Sequence, residues 1–157
     1  RGGLEHNDTY PYAMKDQFCY HDKVNNKIEV DGSFNITAED EVQMHEAIYN
    51  EGPISISFEV MDGFKAYDGG VYTNPKCGKS TIDPNHDVLM VGFGEEDGTE
   101  FYRIKNSWGA EWGSDGFFKI RAYTNECALS MCNSYPENVR LVSNNPLNSV
   151  KDFLASA

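Results

Sequence analysis

The sequence predicts an α+β domain that is β-rich with one main helix, and three stretches carry that prediction. Only the segment after Thr37 combines a helix start signal with apolar residues at helical spacing. Ile54-Ser55-Ile56-Ser57-Phe58 alternates with period two, as a strand with one buried face does. Val88 to Phe93 and Glu100 to Lys105 flank Asp97-Gly98, a dipeptide that tolerates the positive φ of tight hairpin turns, so the two runs are expected to pair antiparallel.

Taken in order, Arg1 to Tyr20 mixes Gly2-Gly3 and Pro11 with polar residues and reads as irregular chain with turns. Thr37 is expected to cap a helix of about 12 residues, with Glu39, Asp40 and Glu41 at the positive end of its dipole. Met44, Ala47 and Ile48 share one face of it, and Gly52-Pro53 ends it because proline cannot donate the next hydrogen bond. After a loop punctuated by Gly109, Gly113 and Gly116, Phe117-Phe118-Lys119-Ile120 supplies a further short strand. Residues 143–157, with Asn144-Asn145-Pro146 and a weakly amphipathic Val150 to Leu154, are expected to form a docked or frayed tail.

A length of 157 residues with 39% hydrophobic content fits one domain, or part of one. Lys+Arg of 13 against Asp+Glu of 25 gives a formal charge of -12, which repels phosphate backbones and anionic lipid and argues against nucleic-acid and membrane partners. The longest apolar run, Val88 to Val91, falls far short of the ~18 residues of a membrane span. Position 1 lacks the features of a secretory signal, so a secreted protein would carry its signal upstream or have lost it. Asn7-Asp8-Thr9 and Asn35-Ile36-Thr37 fit the glycosylation pattern and mark Asn7 and Asn35 as candidate acceptors. Cys19, Cys77, Cys127 and Cys132 form no C-x-x-C pair and no zinc pattern, so they read as disulfide formers, and no metal or cofactor is expected.

A base near neutral pH is most often a histidine. His6, His21 and His45 lie in polar or helical surface contexts, whereas His86 stands at the mouth of a long apolar strand. Across the hairpin, Lys105-Asn106-Ser107-Trp108-Gly109-Ala110-Glu111-Trp112-Gly113 holds both tryptophans within five residues. With the hairpin closed at Asp97-Gly98, His86 and Asn106 fall near the open ends of neighbouring strands, within reach of a side-chain hydrogen bond.

Asn85-His86-Asp87-Val88-Leu89-Met90-Val91-Gly92-Phe93-Gly94 resembles the histidine motif of the papain-like cysteine proteases, and Lys105-Asn106-Ser107-Trp108-Gly109 resembles their asparagine motif. Further matches run in the family's order: Gly2-Gly3-Leu4, Tyr10-Pro11-Tyr12, Cys19, Gly52-Pro53-Ile54-Ser55, Gly70-Val71-Tyr72, Gly116-Phe117-Phe118 and Cys127. The resemblance covers residues 1–142 and leaves 143–157 as a C-terminal extension. It implies the C-terminal, β-rich, barrel-like lobe of that fold, with the helical N-terminal lobe mostly absent from this chain.

It further implies thiolate attack on a peptide carbonyl, with His86 as the imidazolium that stabilises the thiolate and later protonates the leaving amine. Asn106 would orient the ring, Trp108 would cover the His–Asn bond, and Trp112 would wall the leaving-group side. Ser57, Pro84, Asn85, Asp87 and Cys132 would join Trp108 and Trp112 in contacting substrate. The nucleophile lies roughly 130–150 residues before the histidine in the family signature. It is therefore expected upstream of Arg1 or on a partner chain. A Cys77–Cys127 disulfide is implied, with Cys19 bonded to the upstream segment and Cys132 a free, buried thiol; a Cys19–Cys132 bond is the alternative.

Asp87 departs from the family, which places alanine or glycine there. Its carboxylate either favours a basic substrate side chain or pairs with His86 and disturbs the couple. The expected function is a cysteine endopeptidase of the cathepsin L type acting on proteins or peptides, lysosomal/vacuolar or secreted. A dipeptidyl peptidase is a second reading, because Phe58-Glu59-Val60, Asn85-His86 and Asn125-Glu126-Cys127-Ala128 also resemble cathepsin C. A catalytically inactive relative with a structural or binding role is the third.

Overall fold

The computed structural model describes residues 3–22, 25, 27–78 and 84–142. The 143–157 extension lies outside the described residues. The chain forms a larger unit, Phe34–Tyr135, and a smaller one built from the stretches on either side of it.

In the smaller unit, β1 (Ile28–Glu29) pairs antiparallel with β9 (Arg140–Leu141), and Leu4 bridges to Ile28. Arg140 binds Glu29 at 3.2 Å and Asp31 at 2.8 Å. Residues 11–20 are exposed throughout, as their irregular reading anticipates.

The larger unit holds one α-helix and a seven-stranded sheet, two strands of which run on past its bounds. Its strands are β2 (Gly32–Asn35), β3 (Ile54–Phe58), β4 (Val71–Tyr72), β5 (His86–Glu96), β6 (Thr99–Lys105), β7 (Phe117–Arg121) and β8 (Asn133–Glu137), in the order β2-β8-β3-β5-β6-β7-β4. The order runs between two free edges, so among the described residues the sheet is open and the barrel-like closure expected from sequence is not formed. Met44, Ala47 and Ile48 of helix α1 (Glu41–Asn50) pack on a core of Ile54, Ile56, Met90, Tyr102, Ile104 and Phe118. Each such side chain, fully withdrawn from water, contributes about 1.5–3 kcal/mol before entropy is counted.

Helix α1 begins three residues later than the hydroxyl rule places it. Thr37 to Asp40 form a turn closed by the Asp40 N–H on Thr37 O at 3.2 Å, with Glu39 at φ 64°. Asp40 is the cap, its Oδ1 accepting the Gln43 N–H at 2.9 Å. Glu41, read as a dipole acid, is buried instead, and its carboxylate accepts the N–H groups of both Tyr123 and Asn125. Those bonds hold a segment in which Tyr123, Asn125, Cys127 and Ala128 all have positive φ, a conformation that persists only where surroundings over-determine it. Burial and the nearby Glu41 push the Tyr102 hydroxyl pKa upward, keeping it a neutral group that donates to Glu41 O.

The hairpin is longer than its apolar runs. Asp97 and Gly98 have φ of 50° and 75°, the two positive values of a type I′ turn, and they pair Glu96 with Thr99. Between Met90 and Gly92 the register shifts by one residue, a β-bulge at Val91.

Replacing Asp40 with Ala is expected to lower the unfolding free energy by about 1 kcal/mol, and Thr37→Ala by less than about half of that, in urea titrations of the intact protein.

Candidate active site

His86 opens β5 and Asn106 directly follows β6. Their rings and amide meet because Leu89 pairs with Lys105, which sets Asn106 beside Val88 on the same sheet face as His86. His86 Nε2 lies 2.8 Å from Asn106 Oδ1, and the same oxygen accepts the Ser107 N–H at 2.8 Å. A backbone N–H needs an oxygen acceptor, so this bond fixes which way the amide points. Nε2 must then carry the hydrogen, and in the neutral ring Nδ1 is left as the proton-accepting nitrogen. Asn106 is 8% exposed, and its Nδ2 has no partner among the described residues.

The ring is held between aromatics. Trp108 lies 4.9 Å from it at 31°, and Phe58, its cross-strand neighbour, 5.9 Å away. Trp112 meets Trp108 edge-on at 5.0 Å and donates Nε1–H to Lys65 O at 2.9 Å. Fully buried Phe64 touches both indoles, at 5.7 Å and 5.3 Å, and so ties the Asn106–Gly116 loop to the core. The loop closes with the Asn106 N–H on Gly116 O at 2.9 Å. Gly113 is required within it: φ is 58°, and a Cβ would sit 2.7 Å from Phe117 O.

The remaining candidates scatter around this pair. Asp87 points to the opposite face from His86, as strand alternation demands, and accepts the Ser57 hydroxyl at 2.5 Å. The Asp87–His86 pairing considered from sequence is therefore not formed. Asp87, Leu89, Lys105, Asn106 and Ser107 line an open depression of about 340 Å³. The Asn85 side chain is committed to the backbone of Val60, accepting its N–H at 2.8 Å and donating to its oxygen at 3.2 Å. Pro84 is half-buried just before it.

Cys77 and Cys127 are bonded, with Cα atoms 4.6 Å apart. Cys132 is a free thiol as expected, but exposed rather than buried: Asn133 beside it takes the inward position at the start of β8, and alternation turns Cys132 outward. Cys19 is also free and exposed, so the alternative Cys19–Cys132 bond is not present. His86 makes no hydrogen bond to a thiol among the described residues. Asn7 and Asn35 are both exposed. His21 and His45 are less superficial than their contexts suggest. His21 pairs with Glu5 at 3.1 Å, and His45 packs against Phe93 with ring centroids 3.8 Å apart while bonding the Tyr123 hydroxyl. Sequence reasoning missed the Ser107 N–H and Phe64, one a backbone group and the other a core aromatic with no local signal.

A profile described as papain family cysteine protease matches residues 1–137. The chain belongs to that family. Among curated members it is 44% identical to cysteine proteinase 3 of Solanum lycopersicum over 135 residues, 86% of this chain and 38% of that protein. It is likewise 44% identical to pro-cathepsin H of Medicago truncatula, covering 86% of this chain and 39% of the relative. The digestive procathepsin L2 proteinase of Tenebrio molitor larval midgut superposes with a TM-score of 0.81 at 36% identity, over 87% of this chain and 43% of that one. The chain thus spans about two fifths of these papain-family relatives. No helix among the described residues is long and apolar enough to cross a membrane.

In NMR spectra of the intact protein the neutral His86 ring is expected as the Nε2–H tautomer, shifting to a mixture in Asn106→Ala. A dominant Nδ1–H form in the unaltered protein would refute the amide orientation.

Proposed function

We propose that this chain supplies the imidazole and the orienting amide of a cysteine peptidase, and that the nucleophilic thiol comes from a segment preceding Arg1 or from a partner chain. The His86 Nε2 to Asn106 Oδ1 bond of 2.8 Å, with Trp108 against the ring, carries the reading. With Nε2–H engaged, Nδ1 takes the proton of an approaching thiol, and the resulting imidazolium stabilises the thiolate beside it. The thiolate attacks the peptide carbonyl, Nδ1–H protonates the departing amine, and the freed Nδ1 then activates water to release the acyl group. A neutral amide orients the ring without adding negative charge near the thiolate. Asp87 supports an active enzyme over an inactive relative, because its carboxylate is held by Ser57 on the face away from the imidazole.

An endopeptidase acting on proteins or peptides in a lysosomal, vacuolar or secreted setting is the form of this reading we favour. Cys19, exposed and unbonded, is proposed to join a cysteine outside this chain.

The intact protein is expected to take up a thiol-alkylating epoxide at one cysteine outside this chain, and His86→Ala to abolish uptake. Non-reducing peptide mapping of the same sample is expected to tie Cys19 to an outside cysteine. Absence of labelling in the unaltered protein at every pH from 5 to 7 sinks the peptidase reading.

The Asp87 carboxylate in the depression beside Asn106 is expected to favour a cationic substrate side chain. Asp87→Ala should lower kcat/KM for Arg- and Lys-bearing peptides by about tenfold or more while leaving aromatic ones nearly unchanged. Equal losses on both peptide sets would remove Asp87 from recognition.

A further inference from the structure

Strands β5, β6 and β7 turn one face into the core and the other outward. The β6–β7 register sets Phe101 against Arg121, Arg103 against Lys119 and Lys105 against Phe117 on that outward face. Four of the chain's 13 Lys and Arg residues therefore share a two-strand surface with two phenyl rings. Arg103 and Lys119 are like charges directly opposed, which destabilises a sheet. Glu96 relieves Lys119, its carboxylate 2.5 Å from Nζ. Among the described residues no carboxylate pairs with Arg103, Lys105 or Arg121, in a chain with 25 acids to draw on.

The phenyl rings brace these cations. Arg103 Cζ stands 4.4 Å over the Phe117 ring and Lys119 Nζ 5.0 Å over that of Phe101. Phe101 itself lies against Gly94, where a Cβ would come within 2.9 Å of its ring. Beside them opens a hollow of about 360 Å³ lined by Phe101, Arg103, Ser114, Asp115, Phe117 and Lys119, within the size range that accepts a small cyclic group. Asp115 places one carboxylate on its wall.

We propose that this face binds a sulfated polysaccharide. A guanidinium braced on a ring, with its N–H groups unspent, matches the oxygens of a sulfate ester. Cations at alternate positions repeat at about 7 Å along each strand, which suits a ligand carrying several fixed anions. The rings are covered by cations, so the surface lacks the bare aromatic platforms on which single-stranded nucleic acid stacks. Each of the three strands has a neighbour on both sides, so an acidic peptide finds no main-chain partner here. The net charge of -12 repels anions from the rest of the surface and confines their binding to this island.

The test titrates the intact protein with a fluorescent heparin-type dodecasaccharide at low and moderate salt. Saturable binding that weakens steeply with salt is expected, with affinity falling about tenfold or more in both Arg103→Gln and Arg121→Gln. Arg103→Gln removes an opposed like charge, so its thermal midpoint is expected to hold or rise, which separates lost binding from lost folding. No saturable binding at low salt overturns the proposal, as does unchanged affinity in both variants. Equal affinity for polyglutamate or single-stranded DNA of matched charge overturns the assignment to a polysaccharide. The readout is binding alone and stands apart from the peptidase reading.

Discussion

The one-residue register shift at Val91 is the constraint on which the candidate site depends. The Asp97-Gly98 turn fixes the pairing of Glu96 with Thr99, and from there the two strands run in step to Gly92 and Arg103. Had β5 continued as a regular strand, Asn106 would have fallen opposite Leu89, and His86 would have turned to the outward face, away from the amide. The bulge absorbs Val91, restores Met90 to Ile104, and brings Asn106 onto the imidazole's face. A single slip exchanges every side chain between faces, so the site needs both the turn and the bulge.

Behind that hairpin, order is maintained by groups remote in sequence. Glu41, at the start of α1, satisfies two N–H groups of the left-handed Tyr123–Ala128 segment, and the Cys77–Cys127 bond anchors the same segment to a loop fifty residues earlier. In the core, Phe64 connects the indoles of Trp108 and Trp112 to Phe58 and Phe118. The imidazole is therefore aimed by a backbone N–H acting through Asn106 and steadied by a ring cluster that reaches the centre of the unit.

Features whose causes are local could be read from the sequence. Asp97-Gly98 carries its own turn, Ile54 to Phe58 its own alternation, and Met44, Ala47 and Ile48 their shared helix face. His86 and Asn106 were legible because a hairpin converts sequence distance from its turn into spatial proximity, and because their motifs resemble those of the papain-like proteases. The two-residue strands β1, β4 and β9 have too few residues to show any period and exist only through their partners. The displaced cap at Asp40 depended on a positive φ at Glu39 that no propensity signals. Glu41 looked like a surface acid because its partners lie more than eighty residues away. Asp87 could be placed near His86 but not on its opposite face until the pairing of Ser57 with Asp87 was known.

That opposite-face arrangement gives the two side chains of one dipeptide separate surroundings. His86 contacts Phe58, Trp108 and Asn106, whereas the Asp87 carboxylate is held by Ser57 and lines the open depression, whose rim Asn106 shares. The Asp87 carboxylate is thus turned away from the imidazole, and a change of charge at position 87 leaves the contacts of His86 with Phe58, Trp108 and Asn106 in place. On the proposed reading, side-chain preference can therefore be retuned through one residue without disturbing the aim of the ring next to it.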